Sequence, residues 1–560
     1  MSESEETTTL RLPARPADSE GGTSRLATLR RAGVAVPLLA ALSTGGWALL
    51  VRWYSLTGNR DNTHFAFEKL PGHSDSPILR ATLAMFLLLA LAYAAGWWVL
   101  SRAPSLSRAA RIGAVGFVAG PGIANLFIYP VGALDAFNYL VELKLAYHFG
   151  QNPYLVTFAD YRSDPFALPA FLVDVPLFYG PAWLLASGLP GLVAGYADAI
   201  DLLLALKVFH LALLGLTGLV LHRAAGGGKA GWLAAFLFAA NPLVLFEGIG
   251  NAHNDLMVAL LLAAALAALR TRSVLAGPFL ALSVAVKFFT AALAPVFLAA
   301  AARDRWGWRR AATTIALAAA AVAAVTAPFW DGGAMAGGLR RGATESQEMR
   351  HVSPLSLAKQ IATTRRATLP RGFPPALPGR SCAWPSRLAG PDGLASWGVR
   401  ACALRWPTTR GLVEFIERIS RGLFVALALL VAWTVWRGRS PNLAAAETMM
   451  LFALLATNLY PWYLLPIVAA LALAPNRRAL VWLFAATALG LAYYPAYVFA
   501  RFDAGWDDLG RHWFLALFLT APMVAFLAAN ALDGLRAVHR RLANRPRTAR
   551  TESVRAAPAD

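Results

Sequence analysis

Apolar runs of about 20 residues recur along this 560-residue chain from Ala32 to Leu535, each long enough as a helix to cross ~30 Å of hydrocarbon. With 57% of residues hydrophobic and 15% charged, the chain carries too little polar surface to stay dispersed in water at this length. Its polar remainder gathers in the connectors. The fold class expected is an all-α polytopic membrane protein with about 12–14 transmembrane or re-entrant helices. The spans fall near 33–53, 78–101, 112–131, 200–222, 230–248, 254–269, 310–329, 412–436, 444–459, 461–474, 479–499 and 513–535, with a pair at 274–286 and 287–302. This divides the chain into a disordered tail at 1–31, a transmembrane domain at 32–535 and a basic tail at 536–560. Residues 1–24 are polar with no apolar core, so no cleavable signal peptide is expected.

Charge sets the orientation. The net charge of +20 rests on 51 basic residues, nearly all Arg, and in a membrane chain such an excess is the positive-inside bias, not a nucleic-acid footprint. With both termini cytoplasmic, the short cytoplasmic connectors hold Arg102, Arg108 and Arg111, then Arg223 and Lys229, Arg270 and Arg272, Arg303 and Arg305, Arg437 and Arg439, and Arg477 and Arg478. Most acids, among them Asp135, Asp160, Asp164, Asp174 and Asp198, fall on the other side. Two large extracytoplasmic loops result, 132–199 and 330–411. The second is Arg-rich, but the bias weakens in loops beyond ~60 residues. Its Pro/Gly-rich part, 369–393, reads as irregular. Within the first, 167–190 is apolar yet broken by Pro169, Pro176, Pro181 and Pro190; interfacial helices lying on the membrane suit it better than a span. Cys382 and Cys402 share the second loop, as a disulfide if the compartment is oxidising or as two free thiols.

Several polar groups stand where apolar residues are expected. Asp135, Asn138, Tyr139 and Glu142 share one helix face just after a span. Asp135 fits two roles, a helix N-cap or a general base where a polar acceptor meets a membrane-embedded donor. Gly150-Gln-Asn152-Pro-Tyr154 stops the same helix, and Tyr179-Gly-Pro-Ala-Trp183 opens the next; both are turns, with aromatic rings that can also stack on a sugar. Asn251-Ala-His253-Asn254-Asp255 joins two spans by a short turn. Asp255 suits a cap, whereas His253 at membrane depth calls for a partner or a substrate. Lys287 interrupts the apolar run 273–302 and suits a structural ion pair or neutralisation of a lipid phosphate. Trp462 and Tyr463 follow a proline break that serves equally as kink and interface anchor.

Taken in order, Asp135-Ala-Phe-Asn-Tyr139, Gly150-Gln-Asn-Pro-Tyr154, Tyr179-Gly-Pro-Ala-Trp183, Asn241-Pro-Leu-Val-Leu245, His253-Asn-Asp255, Ala285-Val-Lys287 and Pro461-Trp-Tyr463 resemble one family. It is that of the polyprenol-phosphate-mannose-dependent α-1,6-mannopyranosyltransferases of actinobacterial lipoglycan assembly, integral-membrane glycosyltransferases of the GT-C superfamily. The resemblance covers about residues 112–475 and implies a GT-C fold. It implies a polyprenyl-phosphate sugar donor, a glycan or glycolipid acceptor, and an extracytoplasmic acidic base at the position of Asp135. Binding residues are then expected at Asn138, Tyr139, Glu142, Asn152, Tyr154, Tyr179, Trp183, His253, Asn254, Asp255, Lys287, Trp462 and Tyr463, with Arg340, Arg341 and Arg350 as further positive charge. No cofactor is expected, the lipid-phosphate sugar being a co-substrate; a hard cation between Asp135 and Glu142 or Asp255 stays open. The competing reading is a transporter or flippase of lipid-linked sugars, but the inverted repeat typical of transporters is not visible, the two polar loops being dissimilar.

Overall fold

A computed structural model describes residues 21–59, 76–132, 135–170, 172–348, 409–455, 459–499 and 508–543. Arg350, Cys382, Cys402, both tails beyond these bounds and nearly all of 369–410 lie outside the described residues. The described residues are helical with no strand; a single antiparallel bridge joins Ser55 to Ile128. In chain order the helices are α1 (Gly21–Trp53), α2 (Ser76–Arg102), α3 (Arg108–Leu126), α4 (Asp135–Tyr147), α5 (Pro181–Ala194), α6 (Ala199–Ala224), α7 (Gly228–Ala239), α8 (Pro242–Leu245) and α9 (Asp255–Arg270). They continue with α10 (Ala276–Val286), α11 (Ala294–Arg303), α12 (Trp308–Thr326), α13 (Ala334–Glu348), α14 (Thr409–Trp436), α15 (Pro441–Leu455), α16 (Leu464–Ala472), α17 (Arg477–Val498) and α18 (Asp508–Ala543).

Among the described residues, eight helices are long and apolar enough to cross a membrane. The protein is therefore a polytopic all-α membrane protein. Its outer helices face lipid with apolar side chains: α12 buries none of its residues, and Ile315, Leu429 and Trp433 are each more than half exposed. The inner helices are shorter and broken. The expected span at 230–248 bends by 52° between Gly228–Ala239 and Pro242–Gly250. Asn241 causes the bend, because its side-chain oxygen caps α8 from outside the helix and Pro242 supplies a first helical residue that needs no donor. Its amide nitrogen donates to Thr487 Oγ1 at 2.8 Å. A π-turn, Phe246–Gly250, follows. The run 274–302 breaks at Lys287, whose backbone is extended (φ −152°, ψ 115°), as the interrupted apolar run predicted. In the loop 132–199 the expected interfacial helix is confined to α5; proline at 169 and 176 leaves the chain before Gly180 in turns.

The basic connectors meet one another at one end of the bundle. Lys229 donates to Ser101 O at 2.8 Å, Arg270 to Ala224 O at 2.7 Å, and Arg303 to Arg439 O at 3.2 Å. The opposite end gathers the loop 132–199, the break at Lys287 and the segment before α16. Glycine sets two close approaches there. Gly180 N donates to Val286 O at 3.0 Å, and any Cβ at 180 would collide with the carbonyl of Ala285. On α13, Gly338 and Gly342 would collide in the same way with the carbonyls of Tyr154 and Pro176, so a small-residue face of α13 lies directly on the first loop.

A buried lysine ties this end together. Lys207, on α6 and fully buried, donates to Asn125 O at 3.2 Å and Gly250 O at 2.6 Å, and also to Ile128 O. Its three ammonium hydrogens thus satisfy carbonyls left open at the end of α3, at the bridge beside it and at the end of the π-turn. Lys207→Met keeps the stem and deletes all three donors, at about 1–3 kcal/mol per orphaned carbonyl. A clearly lower thermal unfolding midpoint in detergent is expected; an unchanged midpoint would show that the lysine is not a tie.

Candidate active site

Four elements deliver the polar residues to one place. Helix α4 begins at Asp135, so its carboxylate sits at the positive end of the helix. The turn Asn251–Asn254 follows the π-turn and passes through Ala252 with φ 55°, a left-handed conformation that costs a non-glycine residue about 1 kcal/mol. Such strain is characteristic of functional turns. The break after α10 presents Lys287, and Pro461–Tyr463 turns into α16.

At the centre, the Asp135 carboxylate accepts a hydrogen bond from Tyr179 Oη at 3.1 Å and lies 3.5 Å from His253 Nδ1. His253 Nε2 lies 3.5 Å from the Glu247 carboxylate. Glu247 also accepts from Asn251 Nδ2 at 2.9 Å and from Tyr494 Oη at 3.5 Å. The imidazole thus stands between two carboxylates, stacked on Trp462 at 4.0 Å between ring centroids, and Trp462 is itself stacked on Tyr460. Beside it, Lys287 Nζ donates to Asp255 Oδ2 at 2.7 Å and lies over the rings of Tyr463 (4.6 Å) and Tyr179 (5.7 Å). Exposure separates the three carboxylates. Asp255 and Glu247 are sealed, whereas the Asp135 side chain is 15% exposed and that of Lys287 13%.

Burial pushes the Asp135 carboxyl up from the usual range to about 6, against the Lys287 ammonium and the Tyr179 hydrogen bond, which favour its charged form; the Asp255 charge adds to the rise. Burial likewise raises Tyr179, which keeps that phenol a donor. At neutral pH Asp135 is an ionised carboxylate with modest proton affinity, open on one side and oriented on the other. That is the state a general base requires.

The comparisons with known proteins agree with this geometry. The family profile described as alpha-(1->6)-mannopyranosyltransferase, N-terminal domain, matches residues 30–304. Residues 30–304 are thus similar to the N-terminal domain of that family. A curated relative, alpha-(1->6)-mannopyranosyltransferase A of Mycobacterium tuberculosis, is 26% identical over 388 residues, which are 63% of this chain and 64% of that protein. The chain thus spans less than two thirds of the length of the curated relative it matches.

The family region supplies Asp135, Tyr179, His253, Asp255 and Lys287, and the later half closes over them with Trp462 and Tyr463. The other expected residues stand one layer back. Asn138 accepts from Leu172 N at 3.1 Å. Tyr139 is sealed between Tyr179 and Trp183, and Trp183 packs edge-on against His210. Asn152 donates to Phe329 O at 2.9 Å and accepts from Tyr154 N at 3.1 Å, and Tyr154 Oη donates to Tyr179 O at 3.1 Å. These five hold the loop in place. Asn254 is fully buried at the turn. Glu142 lies on the Asp135 face of α4, partly exposed. Arg340 and Arg341 are exposed on α13, which lies on the loop through its glycines. Glu247 and Lys207, each an ionisable residue within an expected span, join the site without having stood out in the sequence; the rule that marks Lys287 applies to both.

Lys287→Met removes the ammonium that opposes burial at Asp135 and leaves Asp255 uncompensated, and both changes favour the protonated carboxyl. The Asp135 titration is expected to move above 6, read as the pH-dependent carboxyl stretch in the infrared after subtraction of an Asp135→Asn sample. A midpoint that stays or falls would mean that the pair does not act on Asp135.

Proposed function

We propose that the protein transfers a hexose, mannose by its family, from a polyprenyl-phosphate donor to a glycan or glycolipid acceptor on the extracytoplasmic side of the cell membrane. The observation that carries this reading is an open carboxylate, Asp135, hydrogen-bonded by Tyr179 and set beside His253 and an accessible lysine. The arginine-bearing connectors, tied together at the other end of the bundle, support placing that other end in the cytoplasm.

The reaction needs few parts. The acceptor hydroxyl oxygen attacks the anomeric carbon as the bond from that carbon to the phosphate oxygen breaks, and the hydroxyl proton passes to Asp135. Polyprenyl phosphate departs with the bonding electrons. A phosphate is a stable leaving group, so no general acid is required; what is required is positive charge where its negative charge grows. Lys287 spends one of its three N–H donors on Asp255 and keeps the others for the phosphate. A single displacement of this kind inverts the anomeric configuration. The family match favours the transferase over a transporter of lipid-linked sugars.

Purified protein in nanodiscs, given polyprenyl-phosphate mannose and a short α-mannoside, is expected to form the extended glycan. Asp135→Asn should lower the rate by about 10²–10⁴-fold while eluting and unfolding like the parent. Because the base must be ionised, the rate should rise with pH through about 6 and level off above it. Full activity in Asp135→Asn would discard the base, and no transfer with any lipid-phosphate sugar would discard the transferase.

A further inference from the structure

Glu142 is the carboxylate of this end that the proposed chemistry leaves unused. It stands seven residues along α4 from Asp135, two helical turns and about 10 Å, on the same face. It is partly exposed, while Ala136, Asn138, Tyr139, Leu143 and Leu145 on the same helix are buried. No hydrogen bond or ion pair reaches its carboxylate among the described residues. The neighbouring cation is spoken for: Lys144 is bound to Asp164 at 2.8 Å and lies over the Phe166 ring at 4.0 Å. Its charge acts on the Tyr154 and Tyr179 phenols, raising both. Burial, and then the Asp135 charge, push its carboxyl up.

A half-buried carboxylate with no partner is costly unless something polar fills its lone pairs. Glu142 already has a like charge along its own helix, so a ligand rich in hydroxyl donors suits it better than an anion. Two oxygens of one carboxyl can take two adjacent hydroxyls of a pyranose ring, whether the carboxyl is ionised or carries its proton. We propose that Glu142 holds the acceptor glycan at a sugar residue beyond the one whose hydroxyl reacts at Asp135. The inference rests on the transferase reading. It makes Glu142 a residue of acceptor length selection, two turns away from bond formation and outside the donor phosphate's reach.

The test compares acceptors of two lengths on the full-length protein in nanodiscs, a methyl α-mannoside and the corresponding α-1,6-linked disaccharide, with polyprenyl-phosphate mannose saturating. The unsubstituted protein is expected to favour the disaccharide in kcat/KM. Glu142→Ala should shrink that preference about tenfold, the loss of one hydrogen-bonded contact of about 1.4 kcal/mol, and mainly through KM. Glu142→Gln, which keeps the shape and can still bond hydroxyls, should keep most of the preference and shows that the site folds. A preference unchanged in Glu142→Ala, or an equal fall for both acceptors, overturns the assignment while the transferase stands. Failure of the unsubstituted protein to transfer to either acceptor overturns both.

Discussion

The ion pair between Lys287 and Asp255 joins the ends of two helices inside the bundle, and the architecture around the site depends on it. Either charge would be costly to bury without the other. Removing one partner of such a pair leaves a buried charge at a cost of about 3–5 kcal/mol. Together, at 2.7 Å, they fix the break after α10 against the first residue of α9. Gly180 then brings Tyr179 to the same break through its hydrogen bond to Val286. Tyr179 in turn holds Asp135. One electrostatic requirement thus runs through three segments distant in sequence and ends on the exposed carboxylate.

The broken helices follow from the same requirement. Irregular backbone survives at membrane depth only where it is sealed in protein or lines a wet cavity. The π-turn at Phe246–Gly250, the left-handed Ala252 and the extended Lys287 all lie inside a shell of intact helices. Side chains meet carbonyls of these breaks: Lys207 donates to Gly250 O and Thr290 Oγ1 to Lys287 O. The outer helices carry no such burden, and α12, which buries nothing, can be apolar all round.

Much of this was legible in the sequence because a polar residue in an apolar run is an anomaly with a cost. Asp135, His253 and Lys287 were found on that ground, and they converge. Boundaries were legible where a breaker coincided with a polar residue, as at Lys287. They were less so where a short cap acts within a long apolar stretch, as at Asn241, which bends one expected span by 52°. Tyr154, Asn152 and Trp183 stood out in sequence as strongly as Tyr179, yet they support the loop and only Tyr179 reaches Asp135. Motif spacing reports that residues belong to one turn; which of them faces inward is decided by packing, here by α13 pressing its glycines on the far side of that turn.

His253 explains why the open carboxylate is Asp135 and not one of its neighbours. The imidazole has two nitrogens and faces a carboxylate with each, Asp135 with Nδ1 and Glu247 with Nε2. Trp462 covers one face of the ring. Glu247 is fully buried and closed off by Asn251 and Tyr494. Asp255 is held by Lys287. Of the three carboxylates around Lys287 and His253, Asp135 is the one that keeps an exposed side, with Tyr179 and His253 on its protein side.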